Sequence, residues 1–279
     1  MDYFEFKCIP THGSQVNGVL IARLAELGFE SFVENDEDIL AYIPFKDLTD
    51  SLRLALKSTE ISELITASEL NLIKDQNWNA VWESAYEPVR IGNQCLVRAP
   101  FHPSDTKVEY EIVIEPKMSF GTAHHETTRL MMKYVLETEL NGKSLLDMGS
   151  GTAVLAILAS MKGAAPVLAI DNDDWAYRNA VENVEGNKAG EIEVILGDAS
   201  SLKGRSFDVI LANINRNILL NDIPEYRQSL NPLGYLFISG FYDTDLDMLK
   251  EKAKENKLQF LSSQTDNKWT AACFKVVEF

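Results

Sequence analysis

Short apolar runs and segments of helical spacing alternate along the chain from about residue 128 onward. The apolar runs predict strands at 144–148, 166–170, 191–196, 207–213, 233–239, 258–263 and 270–277. Apolar residues that recur every three or four positions predict helices at 127–139, 153–162, 173–187, 216–230 and 243–256. Strands that alternate with helices are typical of a parallel sheet covered on both faces. The last two strands have no helix between them, so we expect an antiparallel hairpin at one edge of the sheet.

The first 70 residues show a shorter pattern. The stretch "YFEFKCI" alternates like a strand, residues 14–28 have helical spacing, and "FESFVEN" with "DILAYIP" predicts a hairpin. A second amphipathic helix is predicted at 45–59. The order β-α-β-β-α is typical of a ferredoxin-like fold. We therefore predict an N-terminal α/β domain at 1–70, a polar linker with Trp78 and Trp82 at 71–90, and a larger domain at 91–279.

The composition is that of a soluble globular protein, with 46% hydrophobic and 24% charged residues. The sequence has no apolar run of about 18 residues and no signal-peptide pattern at its N-terminus, so we expect no membrane association. Cys8, Cys95 and Cys273 are scattered, which favours a reducing compartment. We therefore expect a cytoplasmic protein. The histidines and cysteines lack metal-ligand spacing, so no metal site is predicted.

The net charge of −16 argues against a general nucleic-acid binder, which needs a basic face. The excess is uneven, because residues 1–70 hold five Lys or Arg against thirteen Asp or Glu. A quarter of the chain therefore carries half of the net charge. This segment either serves solubility or steers a basic partner toward the protein.

A glycine-containing loop joins a predicted strand to a predicted helix in "LLDMGSGTAVLAI", residues 145–157. Gly149 and Gly151 fit the start of a dinucleotide fingerprint, but Val154 occupies the position of its third glycine. Asp147 precedes the loop, where a carboxylate would face a pyrophosphate unfavourably. S-adenosylmethionine carries a sulfonium and an ammonium group and no phosphate. The loop therefore favours S-adenosylmethionine over NAD as the cofactor.

Polar residues also end the next three predicted strands. Asp171 could accept both ribose hydroxyls of a cofactor, Asp198 could reach an adenine amino group, and Asn213 ends the fourth strand. Ligands of such sheets bind at the carboxyl ends of the strands. Each residue also has a purely structural interpretation, as a helix cap at Asp171 and as turn residues at Asp198 and Asn213.

Five stretches resemble the bacterial PrmA methyltransferases, which modify ribosomal protein eleven of the large subunit. They are "SFGTAHHETTRLMM" (119–132), "LLDMGSGTAVLAILA", "AIDNDDWAYRNAVEN", "DVILANIN" and "NPLGYLFISGF". The resemblance covers about residues 75–279, and the loop ending in H-x-T-T is its most specific part. It implies a Rossmann-like class I S-adenosylmethionine-dependent methyltransferase fold. The acidic N-terminal segment fits the family's substrate-recognition domain.

The resemblance also implies roles for single residues. It implies that Thr128, Gly149, Asp171 and Asn213 contact the cofactor, and that Phe120, Thr122 and His125 lie on a loop that covers it. The implied reaction is N-methylation of lysine side chains and of an N-terminal α-amine of a basic ribosomal protein. We expect a monomer that needs no direct contact with nucleic acid.

Three positions depart from the family pattern. Ala123 stands where glycine is usual, Ser150 where cysteine is common, and Ala153 where the loop usually has its third glycine. Serine in place of cysteine is a benign change. If the backbone needs a positive φ at either alanine, the strain is about 1 kcal/mol or more. The methyl groups could also crowd the cofactor and weaken its binding.

Methyl transfer requires a neutral amine and an acceptor for its hydrogens. Asn213 is the predicted catalytic residue, because its side-chain oxygen could hold the amine toward the methyl group. His125 could act as a base or could bind within its own loop. Two alternatives stay open: a methyltransferase for a small molecule or RNA, and a cofactor-binding module with impaired catalysis. An NAD oxidoreductase is disfavoured by Val154.

Overall fold

The computed structural model describes residues 2–11, 16–74, 86–117 and 119–277. The chain divides into two compact units, Met1–Ala85 and Tyr86–Phe279. No helix in the described ranges is long and apolar enough to cross a membrane. Trp78 and Trp82 of the predicted linker lie outside the described residues.

The N-terminal unit has a four-stranded antiparallel sheet with strand order β2-β3-β1-β4. Its elements are β1 (Tyr3–Pro10), α1 (Asn17–Glu26), β2 (Ser31–Glu34), β3 (Ile39–Pro44), α2 (Asp50–Ala55), α3 (Thr59–Ser62) and β4 (Ile65–Ile73). This order and connectivity are those of a complete ferredoxin-like fold. The hydrophobic core lies between the helices and one face of the sheet, with Leu20, Leu24, Ile39 and Ala41 fully buried.

Two features of this unit differ from the sequence pattern. The single helix predicted at 45–59 is instead a short 3-10 turn, Phe45–Asp47, followed by α2 and α3. The break has a local cause, because Thr49 has an extended backbone and its hydroxyl caps α2 by accepting from the Leu52 amide at 3.2 Å. Strand β4 was not predicted, and it takes up the first three residues of the expected linker.

The C-terminal unit begins with a small three-stranded sheet formed by β5 (Val89–Ile91), β6 (Cys95–Arg98) and β7 (Tyr110–Val113). Two asparagines at the end of a later helix, Asn183 within it and Asn187 just after it, fasten the chain at β7. Asn187 accepts from the Val113 amide at 2.8 Å, and Asn183 accepts from the Glu115 amide at 3.0 Å. The small sheet therefore packs against the main domain and contributes Ile91 and Ile112 to its core.

The main sheet has seven strands in the order β10-β9-β8-β11-β12-β14-β13. The strands are β8 (Leu145–Met148), β9 (Val167–Asp171), β10 (Ile192–Leu196), β11 (Phe207–Asn213), β12 (Leu230–Tyr242), β13 (Leu258–Asp266) and β14 (Trp269–Val276). The first five strands in this order are parallel, and β14 is antiparallel to both of its neighbours. The predicted parallel sheet and the antiparallel hairpin at its edge are both confirmed.

Five helices cover the two faces of this sheet. They are α4 (Glu126–Glu137), α5 (Val154–Met161), α6 (Asp174–Gly186), α7 (Arg216–Gln228) and α8 (Leu246–Glu255). Neighbouring residues of one strand point to opposite faces of the sheet. In β8, Leu145 packs in the core with α4 to α6, and Leu146 packs in the core with α7 and α8. Strands buried on both faces must be apolar throughout, which explains the short continuous apolar runs in the sequence.

Candidate active site

The order in which strands are added to the sheet reverses between the parallel neighbours β8 and β11, because β9 and β10 lie on one side of β8 and β11 lies on the other. Ligands of such sheets bind at this switch point, at the carboxyl ends of the strands. A cavity of about 540 Å³ lies there. It is lined by Ser119, Phe120, Gly149, Gly151, Asp171, Asn172, Asp173, Trp175, Ala176, Asn213 and Ile214.

A smaller cavity of about 70 Å³ adjoins the first and shares Gly149, Asp171, Asn172 and Ile214 with it. Gly197 and Asp198 line its far side. A larger groove of about 710 Å³ continues beyond Asp198 between a 3-10 turn and α7. That groove includes neither the glycine loop nor Asn213 among its described lining residues, so the 540 Å³ cavity is the candidate site.

The glycine loop can follow its path only with glycine at two positions. Gly149 has a φ of 69° and Gly151 a φ of 55°, which L side chains rarely adopt. A Cβ atom at Gly149 would overlap the side chain of Ile214, and one at Gly151 would overlap the carbonyl oxygen of Phe120. The loop therefore packs directly under residue 120, and both glycines reach the cavity.

Asp171 joins this loop to the end of strand β9. Its Oδ2 accepts from the Gly151 amide at 2.8 Å, and its Oδ1 accepts from the Asp173 amide at 3.0 Å. The helix-cap interpretation belongs instead to Asp173, which accepts from the Ala176 amide at 2.9 Å. A carboxylate has about four acceptor positions. Asp171 can therefore still accept from two hydroxyl groups in the cavity.

Asp198 is exposed at the end of β10 and also caps the 3-10 turn that follows. Its Oδ1 accepts from the Ser200 hydroxyl at 2.6 Å and from the Ser200 amide at 2.9 Å. These bonds, the hydroxyl's first, hold the pKa of Asp198 below its usual value. The residue thus fits the turn interpretation and still presents a carboxylate to the smaller cavity.

Asp147 lies beneath the glycine loop and is 1% exposed. Its Oδ2 accepts from the Ala156 amide in the first turn of α5 at 3.1 Å, while its Oδ1 has no hydrogen-bond partner within the described part of the chain. Burial, and secondarily the nearby charge of Asp171, raise the pKa of Asp147 to about 8. Asp147 therefore supports the glycine loop from below. It was predicted to bind the cofactor, but it is not among the described residues that line either cavity.

Residues 119–125 form a loop above the glycine loop and are held there by Thr152, which is fully buried. The Thr152 amide donates to the carbonyl of Phe120 at 3.0 Å, and its hydroxyl donates to the carbonyl of Gly121 at 2.6 Å. Sequence reasoning missed Thr152. Its position directly after Gly151 is the only signal that could have indicated it.

The predicted residues of loop 119–125 have different surroundings. Phe120 is 52% exposed and lines the cavity, whereas Thr122 bonds to His124 at 3.1 Å and stays outside it. His125 caps α4, because its Nδ1 accepts from the Thr127 amide at 3.2 Å. Its ring packs between Phe120 at 5.1 Å and Trp269 at 4.8 Å. His125 therefore contacts the wall of the cavity through Phe120.

Asn213 lines the cavity and is joined to the buried Thr128. The Asn213 side-chain amide donates to the Thr128 hydroxyl at 3.4 Å, and Thr128 is 1% exposed. The Oδ1 atom of Asn213 is buried and has no partner in the described ranges. A buried, unpaired acceptor carries a desolvation cost that a bound donor would remove. Asn213 also lines the 540 Å³ cavity, so this acceptor is available to a ligand N–H group that reaches it.

Two tryptophans were not predicted as site residues. Trp175 is 55% exposed and lines the cavity from the first turn of α6. It follows the acidic stretch after β9, so an aromatic residue at this strand end was the available signal. Trp269 begins β14 and packs on His125 and Tyr242. Only the hairpin topology brings Trp269 to the site.

Two of the three departures from the family pattern are alanines, and both have positive φ, 66° at Ala123 and 62° at Ala153. Both residues are fully buried, and neither is among the described residues that line the two cavities. The predicted backbone strain is therefore present, while the methyl groups point into the core cluster. Ser150 is 6% exposed and likewise outside the described linings.

Titratable side chains give no sign of a metal centre in the part of the chain that is described, where no group of three or more His, Cys, Asp or Glu could hold an ion. The residues present fit S-adenosylmethionine instead. Asp171 could hold ribose hydroxyls, Asp198 could reach the adenine, and the loop at Gly149 and Gly151 could hold the amino-acid portion. The unpaired Oδ1 of Asn213 adds an acceptor for N–H groups in the same cavity.

Counted along the chain from β8, the strand order of the main sheet is 3-2-1-4-5-7-6 with the seventh strand antiparallel. This topology, together with the glycine loop and the acidic strand ends, defines a class I S-adenosylmethionine-dependent methyltransferase. The family model described as Ribosomal protein L11 methyltransferase (PrmA) matches residues 17–276. The chain belongs to this family.

Similar proteins extend along nearly the whole chain. A Bacteroides fragilis protein named Ribosomal protein L11 methyltransferase is 46% identical over 98% of this chain and 99% of its own length. A Chlorobaculum tepidum protein of the same name is 37% identical over 93% of this chain and 92% of its own. The crystal structure of ribosomal protein L11 methylase from Lactobacillus delbrueckii subsp. bulgaricus matches with a TM-score of 0.63 and 26% identity. That match covers 68% of this chain and 97% of the other.

Proposed function

We propose that the protein transfers methyl groups from S-adenosylmethionine to lysine side-chain and N-terminal amines of ribosomal protein L11. We infer the substrate from the names of the relatives, which match this chain over nearly its full length. The observation that carries the chemistry is the buried, unpaired Oδ1 of Asn213 at the wall of the cavity that also contains Gly149, Gly151 and Asp171.

The substrate amine must lose its proton before it can react. A lysine of pKa about 10.4 is neutral in roughly one molecule per thousand near pH 7, which corresponds to roughly 4–5 kcal/mol. Asn213 can offset part of this cost, because Oδ1 accepts an N–H hydrogen of the neutral amine and thereby directs its lone pair. The bond from the Asn213 amide to Thr128 keeps Oδ1 as the end that accepts.

S-adenosylmethionine supplies an already electrophilic methyl group, so the protein's own contribution is mainly positioning. Phe120, His125 and Trp269 form a continuous aromatic series beside the cavity. Such a surface packs against the aliphatic part of a lysine side chain and attracts its cationic form before deprotonation. We infer that the substrate chain approaches the cavity along these rings.

We propose that the N-terminal domain recognises the substrate. Its charge supports this role, since residues 1–70 carry eight more acidic than basic side chains and ribosomal proteins are basic. The same charge opposes RNA as the substrate and a direct nucleic-acid partner. The described lining residues of the cavity all belong to the unit 86–279, so we propose that the protein acts as a monomer. The free thiols of Cys8, Cys95 and Cys273 support our proposal that it acts in the reducing cytoplasm.

Transfer of a tritiated methyl group from S-adenosylmethionine to purified ribosomal protein L11 tests the proposal. We expect the wild-type protein to label L11 and the variant Asn213→Ala to lose about 100-fold in kcat, because the amine is no longer oriented. Asn217→Ala is the matched control, since this exposed asparagine lies four residues away and bonds only to Arg216 among the described contacts. Cofactor binding without labelling of L11 would overturn the substrate assignment, and absence of cofactor binding would overturn the assignment of the cavity.

A further inference from the structure

The chain enters the C-terminal unit at Tyr86 and Glu87, whose backbone carbonyls each accept a hydrogen bond from a histidine. His102 Nε2 bonds to the Tyr86 carbonyl, and His124 Nε2 bonds to the Glu87 carbonyl at 2.9 Å. A carbonyl can only accept, so each imidazole carries its hydrogen on Nε2. The Nδ1 atom of His102 accepts from the Ala99 amide at 3.1 Å, which fixes that ring on the small sheet.

His124 belongs to loop 119–125 and joins this entry segment to the loop. Its Nδ1 bonds to the Thr122 hydroxyl at 3.1 Å, and its ring lies 4.6 Å from the ring of Tyr86. Two contacts of His124 thus connect residues 86–87 to the loop, and Thr122 joins them through its bond to His124.

The other end of the same loop is the cavity wall. Phe120 lines the cavity, and the carbonyls of Phe120 and Gly121 are held by Thr152 of the glycine loop. Thr152 holds Gly121, and only Thr122 and Ala123 lie between Gly121 and His124. Over so short a span, we expect a displacement of the chain at 86–87 to move the cavity wall as well.

We propose that His102 and His124 are positioning residues that couple the entry of the chain into the methyltransferase domain to the wall of the cofactor cavity. In this arrangement the segment 86–87 and the loop 119–125 move as one piece. Loop order, and with it cofactor affinity, then depends on the hydrogen bonds that residues 86–87 accept. The effect on methyl transfer rests on the proposed function, whereas the effect on loop order does not.

The decisive variant is His102→Ala, because none of the described contacts of His102 reaches loop 119–125 or the cavity. If the coupling exists, hydrogen–deuterium exchange of the peptide that covers 119–125 rises in the cofactor-free full-length protein. We also expect the Kd for S-adenosylmethionine, measured by calorimetry, to rise by about 3- to 10-fold, the range of one or two lost hydrogen bonds. Unchanged exchange of the loop in a folded His102→Ala protein would overturn the coupling.

Two variants of His124 complete the test. His124→Ala should accelerate exchange of the loop and raise KM for the cofactor with little change in kcat. His124→Gln should restore most of the wild-type behaviour, since its amide can donate to the Glu87 carbonyl.

The control is Glu87→Ala, which keeps the accepting carbonyl and removes only an exposed side chain. An effect of Glu87→Ala as large as that of His124→Ala, or no rescue by Gln, would contradict the proposal. A wild-type protein that fails to bind cofactor would instead refute the proposed function and leave the exchange result valid.

Discussion

The amide of Gly151 donates to the carboxylate of Asp171 at 2.8 Å, which locks the glycine loop to the end of the neighbouring strand. The loop fixes the position of the carboxylate, and the carboxylate in turn fixes the left-handed backbone of the loop. Both residues line the cavity. A cofactor that bonds to Asp171 therefore meets an acceptor whose orientation is already set before binding, which lowers the entropy that binding must remove.

Asp171→Asn should raise the Kd for S-adenosylmethionine by about 10- to 100-fold, because hydrogen bonds to a charged acceptor contribute roughly 1.5–3 kcal/mol. Calorimetric titration of the purified variant measures this change. Asp174→Asn is the matched control, since its exposed ion pair with Arg178 contributes little. An affinity of Asp171→Asn within twofold of wild type would show that this carboxylate does not bind the cofactor.

Asp171, Asp198 and Asn213 could be predicted from the sequence because parallel strands bring their carboxyl ends to one edge, so strand ends alone bring these residues together. Trp269 could not, because the antiparallel β14 carries it to the site from the far end of the chain. Thr152 and His124 donate to backbone carbonyls. Every residue has a backbone carbonyl, so the identity of the accepting residue does not reveal such a contact in the sequence. The break at Thr49 was missed because one capping hydroxyl outweighs a continuous helical pattern.

Gly151→Ala should destabilise the protein by about 1–3 kcal/mol more than Gly142→Ala does. Both glycines have positive φ, 55° and 69°, so both substitutions introduce similar backbone strain. Only at Gly151 does the new Cβ meet another atom, the carbonyl oxygen of Phe120, while Gly142 faces open space. Urea unfolding of the two variants measures the difference, and equal losses would show that the approach of loop 119–125 to the glycine loop is not tight.

The double variant Ala123→Gly/Ala153→Gly should bind S-adenosylmethionine with an affinity within about threefold of wild type. The reason is that neither alanine is among the described residues that line the cavity. Each change relieves about 1–2 kcal/mol of left-handed strain. It also loses about 0.8 kcal/mol of methyl burial and 0.5–1 kcal/mol through the greater freedom of glycine. The terms nearly cancel, so unfolding free energy should change by less than about 1 kcal/mol per site. A gain in affinity above tenfold would show that the alanines crowd the cofactor.

Asp147 makes folding depend on pH in the direction opposite to most carboxyl groups. Burial raises its pKa to about 8 in the folded protein, and an unfolded aspartate has a pKa of about 3.9. Between these values the native state holds a proton that the unfolded state has released. The free energy of unfolding therefore falls as pH rises through this window, by up to about 1.4 kcal/mol per pH unit from this group. Below pH 4 both states are protonated, and the contribution no longer changes.

Asp147→Asn should remove this slope, because the amide is nearly isosteric and does not titrate. Its side-chain oxygen can still accept from the Ala156 amide that Asp147 now binds. Urea unfolding at pH 5, 6, 7 and 8 measures the difference in unfolding free energy between variant and wild type. We expect this difference to shift in favour of the variant as the pH rises. The control Asp174→Asn removes an exposed carboxylate and should leave the pH dependence unchanged. Parallel curves for wild type and Asp147→Asn would mean that Asp147 is ionised in the folded protein across this range.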